Sequence, residues 1–483
     1  MEEKTISEEV MDQESASVDC LVVDDSDRVS VTSADNASML TEEREAEIAC
    51  EEYDRKQAEE EASLCENIEK LCKELWPAPT TLRHRLMRCA RQTRLGRVLT
   101  PAIQEPVIKR MEGGDLNHIT SITIPFSYAK DSHDLILRIP NYKFQQFYRV
   151  DRDVGILSYV RKYTDIPIPF VVKSDFTTQN ALEKPYVLQQ RIQGTNVNAV
   201  WDSLNTAQRC QIAKQLGEVN KTLRIIKSPV AGLIEVVTDA NSTGPTPNAN
   251  GDESFKIIPF EIHKYKTHDV LPAITEPRAP QSVLDVLTTQ LTRWEAFETA
   301  HDYANDQWQM LINVVREMDD LGVFADQTHC LCHVDLHSGN IMVDIDPVDG
   351  SVKISAVIDW DEAIFAPEFV NCRPPCWLWA DEDTMQTDED GYDPWPHEMP
   401  GAGGVPGTED DQEIKRVFDE SAGGGRYMSM AYGEAFRLAR GIWRIAKDSL
   451  DVCQGYKAAD RIAAEWAMMR EKMMKERDQN SDQ

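Results

Sequence analysis

The chain has 483 residues, 41% of them hydrophobic, and a formal net charge of −32. That length suits about two to four domain-sized units, and the apolar fraction is enough for a sizeable core. No stretch approaches the roughly 18 consecutive apolar residues of a membrane helix. The opening MEEKTISEEV is acidic and lacks a basic-then-apolar leader pattern, so the expectation is a soluble, cytoplasmic protein without a membrane partner. The charge is unevenly placed: residues 1–70 carry a net −17 and residues 381–420 a net −12. The remainder is close to neutral, so the acidity implies no cationic substrate. Nucleic acid is excluded as a partner, because no basic stripe is offered to a phosphate backbone. The 11 cysteines are scattered. Cys330/Cys332 and Cys372/Cys376 lack the CxxC…CxxC spacing of a zinc site and read as unpaired thiols of a reducing compartment.

In chain order, residues 1–40 are acidic, Ser-rich and poor in aromatics, the composition of a disordered tail. Residues 41–75 contain neither Gly nor Pro, and Leu64, Ile68, Leu71 and Leu75 recur at helical spacing. A charged helix docked by that stripe is predicted. HITSITIPFSYAK and HDLILRIP form two strand-like runs over 118–140, a predicted hairpin. DRDVGILSYVRKY, residues 151–163, has helical periodicity. IPIPFVV and PYVLQQRI follow, the latter a strand candidate. A long helix is predicted over 202–227, with Asp202 or Ser203 as N-cap. ANSTGPTPNANGDE, residues 240–253, is loop by composition, and helical patterns return over 281–321. IMVDID and ISAVIDWD are short strands joined by the turn PVDGS. Residues 381–425, acidic and rich in Gly and Pro, are expected to form a mobile insertion. Residues 427–475 are helical again, and 476–483 form a tail. The order is β-rich first (roughly 76–188) and helical later (189–475), an α+β arrangement of two lobes.

The chemistry concentrates in CHVDLHSGNIMVD, residues 332–344. Asp335 and Asn340 are five apart, and Asp359 in VIDWD follows Asn340 by 19 residues. Phosphoryl transfer from ATP needs one carboxylate to orient an acceptor hydroxyl and take its proton. It also needs an Asn oxygen and a second carboxylate to hold Mg²⁺, a hard ion that prefers oxygen. Here the two metal ligands would flank a hairpin that draws them together. The spacing is that of H-x-D-x-x-x-x-N followed by D-x-[DG].

HVDLHSGNIMVD…AVIDWDEAIFAPEF resembles the aminoglycoside phosphotransferase and choline kinase-like family, whose fold is protein-kinase-like. LILRIP resembles that family's strand carrying the phosphate-contacting cation. DVGILSYVRKYTDIPIPFVV resembles its helix and Pro-rich turn, and PYVLQQRIQGTNV the interlobe strand that receives adenine. Together they cover roughly residues 110–380. The resemblance implies a two-lobed kinase-like fold, ATP as co-substrate, Mg²⁺ and a small-molecule acceptor. It implies Asp335 as catalytic base, Asn340 and Asp359 as metal ligands, and His333 as a structural loop histidine. Gly113 and Gly114 in EGGDLNHITSI would cover the nucleotide, with Arg138, Asp153 and Gln190 among its contacts. Arg138 stands where the family places Lys, and Asp153 where it places Glu. APE at 366–368 follows Asp361 so closely that no protein-kinase activation loop fits between, which favours a small acceptor.

Three alternatives stand beside this. His333, Asp335 and His337 could hold zinc or iron, with His263 and His268 conceivable further ligands. A catalytically weak or inactive nucleotide-binding scaffold is the second, motivated by Arg138 and Asp153, with the acidic tails recruiting unknown proteins. The plain reading of Asp335, Asn340 and Asp359 is turn-capping. Trp377 and Trp379 read as core.

Overall fold

A computed structural model describes residues 55, 61–76, 106–111, 117–124, 133–141, 149–237, 253–260, 279–300, 305–380, 404–450 and 454–481. Compact units are Met1–Asn67 and Ile68–Gln483. In the first unit, residues 55 and 61–67 are described, and all are helical. The second opens on helix through residue 75, with Ile68 and Leu71 of the expected stripe buried.

The β-rich part is an antiparallel sheet. Its strands are β1 (Val107–Arg110), β2 (Asn117–Ile124), β3 (His133–Pro140), β4 (Val171–Asp175) and β5 (Tyr186–Gln190), in the order β1-β2-β3-β5-β4. The predicted hairpin is β2–β3, with Ile119 opposite Arg138. Alternation puts Leu135, Leu137 and Ile139 inside, and Arg138 is buried among polar partners. Helix α1 (Val150–Tyr163) lies between β3 and β4 in the chain. Asp151 and Asp153 in its first turn, with Arg161 and Lys162 in its last, complement the helix dipole.

The larger part departs from a plain helical body. Its long helices are α2 (Thr206–Ile225), α3 (Val283–Thr299), α4 (Gln307–Asp320), α5 (Glu409–Ser421), α6 (Gly424–Tyr432), α7 (Glu434–Asp448) and α8 (Gly455–Ser481). Among them runs a second sheet of β7 (Lys227–Ser228), β8 (Gly232–Val236), β9 (Phe255–Ile258), β10 (His329–Cys332) and β13 (Ile364–Pro367), ordered β7-β10-β13-β8-β9. Every residue of β10 and β13 is buried. Strands buried on both faces show no polar alternation, so sequence pattern misses them. The predicted hairpin is β11 (Ile341–Ile345) with β12 (Val352–Val357), flanked by β6 (Thr195–Asn196).

Two expectations are corrected. The N-cap of α2 is Asn205, not Asp202 or Ser203, because Trp201–Ser203 forms a separate 3₁₀ turn. Asn205 and Gln208 close a reciprocal capping box. The span 381–425 is not an insertion without structure. Its second half carries α5, whose Ile414 and Phe418 are buried against the core, with Ala422 just beyond its end. Gly217 on α2 makes this approach possible: a Cβ there would sit 2.8 Å from the Phe418 carbonyl oxygen.

Candidate active site

Strand β10 delivers the loop 333–340, and the β11–β12 hairpin returns the chain beside it. Two hydrogen bonds fasten these segments. His333, fully buried, donates from Nε2 to the Ile358 carbonyl at 2.9 Å. The Ile358 N–H donates to the Asn340 carbonyl at 2.9 Å. The His333 ring packs on Trp360, centroids 4.5 Å apart. His333 is therefore a tether. Its ring is fully enclosed, and His263 and His268 lie outside the described residues. Among the described residues no group of three His, Cys, Asp or Glu side chains could hold a metal ion.

The backbone is strained on both segments. Val334 has φ 69° and Asp359 φ 63°. A β-branched residue in the left-handed region is an outlier, at a cost of about 1–3 kcal/mol. Such positions persist only where the surroundings enforce them, as the two tethering hydrogen bonds do here.

Asp335, Asn340 and His337 form one cluster. Asn340 donates from Nδ2 to both the backbone carbonyl and Oδ2 of Asp335, each at 2.9 Å. These contacts engage the amide nitrogen and leave Oδ1 as the oxygen available to a cation. His337 accepts the Gly339 N–H on Nδ1 at 3.0 Å, and its Nε2 lies 3.2 Å from Asn340 Nδ2 and 3.5 Å from Asp335 Oδ2. That contact, more than any other, holds the Asp335 carboxyl below the usual carboxylate range, and Asp335 in return raises His337. Asp335 is thus ionised and half exposed, ready to accept a proton.

Arg138 is the hub of the second cluster. Nη2 reaches Asp361 Oδ2 in a short ion pair and Asp359 Oδ1 at 3.3 Å. Nη1 lies 4.0 Å from Asp153 Oδ2 on α1. The Arg138–Asp153 pair therefore forms only at the limit of ion-pair reach, and Asp361 is the dominant partner. Asn117, the first residue of β2, also donates to Asp361 at 3.2 Å, while its own Oδ1 is buried without a partner. One guanidinium faces three carboxylates. Burial, and then the charge of Asp361, push the Asp153 carboxyl well above its ordinary range.

The donors present fit Mg²⁺: the Asn340 amide oxygen and the Asp359 carboxylate, 47% exposed, are hard oxygens that leave room for phosphate ligands. Gln190 ends β5, its N–H donating to the Phe170 carbonyl at 2.9 Å. Gly113 and Gly114 lie outside the described residues. Sequence reasoning missed Asp361 and Asn117, and gave His337 a place only in a zinc or iron set. Asp361 was legible as the second acid of DWD; Asn117 carries no spacing signal of its own.

A family model described as the phosphotransferase enzyme family matches residues 126–369, half of the chain. The chain belongs to the phosphotransferase enzyme family. The kinase-like α+β class expected from the motifs agrees with that membership. A subtelomeric hrmA-associated cluster protein of Aspergillus fumigatus is 22% identical over 331 residues, 58% of this chain and 62% of that protein. The match thus spans less than two thirds of that relative's length. Among solved structures, an ADP-bound aminoglycoside phosphotransferase APH(2'')-Ib is 12% identical, with 76% of this chain and 94% of that one covered, TM-score 0.41. A choline kinase from Cryptosporidium parvum is 12% identical, with 82% and 97% covered, TM-score 0.36. Among the described residues no helix is long and apolar enough to cross a membrane.

Proposed function

We propose that this chain transfers the γ-phosphoryl group of ATP to a hydroxyl of a small molecule. The observation that carries it is the convergence of Asp335, Asn340 and Asp359 at the open ends of one tethered hairpin. Asp335 orients the acceptor hydroxyl and takes its proton as the oxygen attacks phosphorus. The Asn340 oxygen and Asp359 hold Mg²⁺, which when bound offsets charge on the β- and γ-phosphates. Arg138 contacts the phosphates with its fork of donors. Asp153 and Asp361 hold that arginine in place. Gln190 marks the adenine end. The acceptor is small, because β13 begins at Ile364, directly after Asp361, with no activation segment between.

Calorimetry with MgATP tests this reading. Wild type is expected to bind and Asp359→Ala to lose binding, while Asp335→Ala retains binding and loses turnover. Absence of MgATP binding by the wild type would end the kinase reading. One observation favours a catalytically weak nucleotide-binding protein: the Arg138 guanidinium sits 3.3 Å from Asp359, pairing with a carboxylate that a metal would need. MgATP binding without turnover on any hydroxylated metabolite would select that alternative.

A further inference from the structure

The strands β10 and β13 connect the proposed site to a second opening. At the far end of β10, about 13 Å of strand from the catalytic loop at ~3.3 Å per residue, lies a cavity of about 550 Å³. Its walls bring together Lys221 and Arg224 from the end of α2, Lys227 of β7, Arg426 of α6, and Glu368 directly after β13. Four cations thus line the opening, three of them paired with one carboxylate, in a protein whose net charge is −32.

Glu368 is 3% exposed and organises the cluster. It accepts from Lys227 Nζ at 2.9 Å, from Arg426 Nη2 at 2.9 Å and Nε at 3.2 Å, and from Arg224 Nη1 at 3.3 Å. Arg224 is consumed by structure: it also donates to Asn220 and to the Ala422 carbonyl. Lys227 and Arg426 are not consumed. Lys227 uses one of three N–H donors on Glu368, and Arg426 keeps its Nη1 edge; both side chains are about half exposed. Lys221 adds a third mobile donor at the rim. Asp326 adds a second acid near Arg426, whose Nη2 also donates to the Asp326 carbonyl at 3.3 Å; two acids against four cations leave the opening a net positive charge with donors to spare. That is the requirement of a multiply charged oxyanion.

We propose that this cavity binds a phosphate group, and that its ligand is a phosphate monoester. Lys221, Lys227 and Arg426 supply the donors, and Glu368 holds Lys227 and Arg426 at fixed spacing. The cavity is larger than a bare phosphate ion, and Ile225 with the aliphatic stems of the basic side chains faces the organic part. The site is independent of the catalytic reading, since none of its residues belongs to the cleft.

Calorimetry of the full chain with inorganic phosphate and with glycerol 2-phosphate tests it. The monoester is expected to bind more tightly; equal affinity for both would assign the site to the bare phosphate group. Lys227→Gln and Arg426→Gln should each weaken binding by about tenfold, the loss of one charge-assisted hydrogen bond. Either change leaves Glu368 with two cations, so folding is preserved. Lys353→Gln, on β12, should leave affinity unchanged. Addition of a non-hydrolysable ATP analogue should leave the phosphate signal in place. No binding by the wild type, unchanged affinity in Lys227→Gln and Arg426→Gln, or full competition by the ATP analogue would each overturn the proposal.

Discussion

Removing the charge of Arg138 tests the physics of the second cluster directly. Arg138 is 8% exposed and Asp153 4%, and the Asp361 side chain is 10% exposed. In Arg138→Met these acids and Asp359 face one another with no cation between them. Breaking a buried pair by deleting one partner costs about 3–5 kcal/mol. Unfolding entropy is about 2.1 cal/mol/K per residue, and the second unit, Ile68–Gln483, has roughly 400 residues. The melting temperature should then fall by about 3–6 °C. The sign of the pH dependence follows from burial. Asp153 and Asp361 already have folded pKa values raised, first by burial. A raised acid contributes stability below its unfolded pKa of about 3.8, lost as pH rises through the folded value. Losing Arg138 raises both further, so the deficit should be larger at pH 8 than at pH 5. Adding Asp361→Asn to Arg138→Met should recover part of it, since one repelling charge is gone. Differential scanning calorimetry of the three proteins at both pH values provides the numbers. A deficit under about 1 °C, or an equal deficit at both pH values, would refute the electrostatic account.

Other perturbations have simpler expectations. His337→Ala should move the acidic limb of the turnover profile to higher pH, because the His337 contact is the leading cause that lowers Asp335; an unmoved limb would remove His337 from the site. The same pair adds stability that is full between the ordinary carboxylate and imidazole pKa values and is lost as pH falls through the lowered Asp335 value or rises through the raised His337 value, and little of it, as both groups are half exposed. Gly194→Ala should destabilise by about 3 kcal/mol, since φ is 109° and a Cβ would lie 2.6 Å from the Val343 carbonyl oxygen; chemical denaturation with a midpoint at the wild-type value would contradict this. Asn205→Ala removes one half of the α2 capping box and should cost about 1 kcal/mol, read from the same denaturation curves.

The site was legible in the sequence where covalent spacing decides it. Asp335 and Asn340 share one loop, and a hairpin of predictable length brings Asp359 alongside, so their meeting follows from local rules. Arg138 and Asp153 were legible as a pair, but Asp361 was not legible as the arginine's nearer partner. Which carboxylate meets the guanidinium depends on side-chain reach across three elements, and Asp153, one methylene shorter than Glu, leaves Asp361 to take the primary contact. The β2–β3 hairpin announced itself by alternation. The second sheet did not, because HCLC and IFAP are buried on every side and short apolar runs carry no period. Helix α5 was hidden for the opposite reason: its charged face dominates the composition, and only Ile414 and Phe418 mark the buried stripe.

These two blind spots bear on how the molecule works. The loop carrying Asp335 leaves the end of β10, and β13 leaves the loop carrying Asp359 and Asp361. The placement of Asp335 against Asp359 therefore rests on a pairing, Cys332 opposite Ile364, that no local pattern predicts. At the other end of the same strands Glu368 gathers Arg224, Lys227 and Arg426. A shift in β13 relative to β10 would move Asp359 at one end and Glu368 at the other. Substitutions in this buried ladder are thus expected to alter nucleotide affinity without touching nucleotide, whereas Arg138→Met acts on the cleft alone.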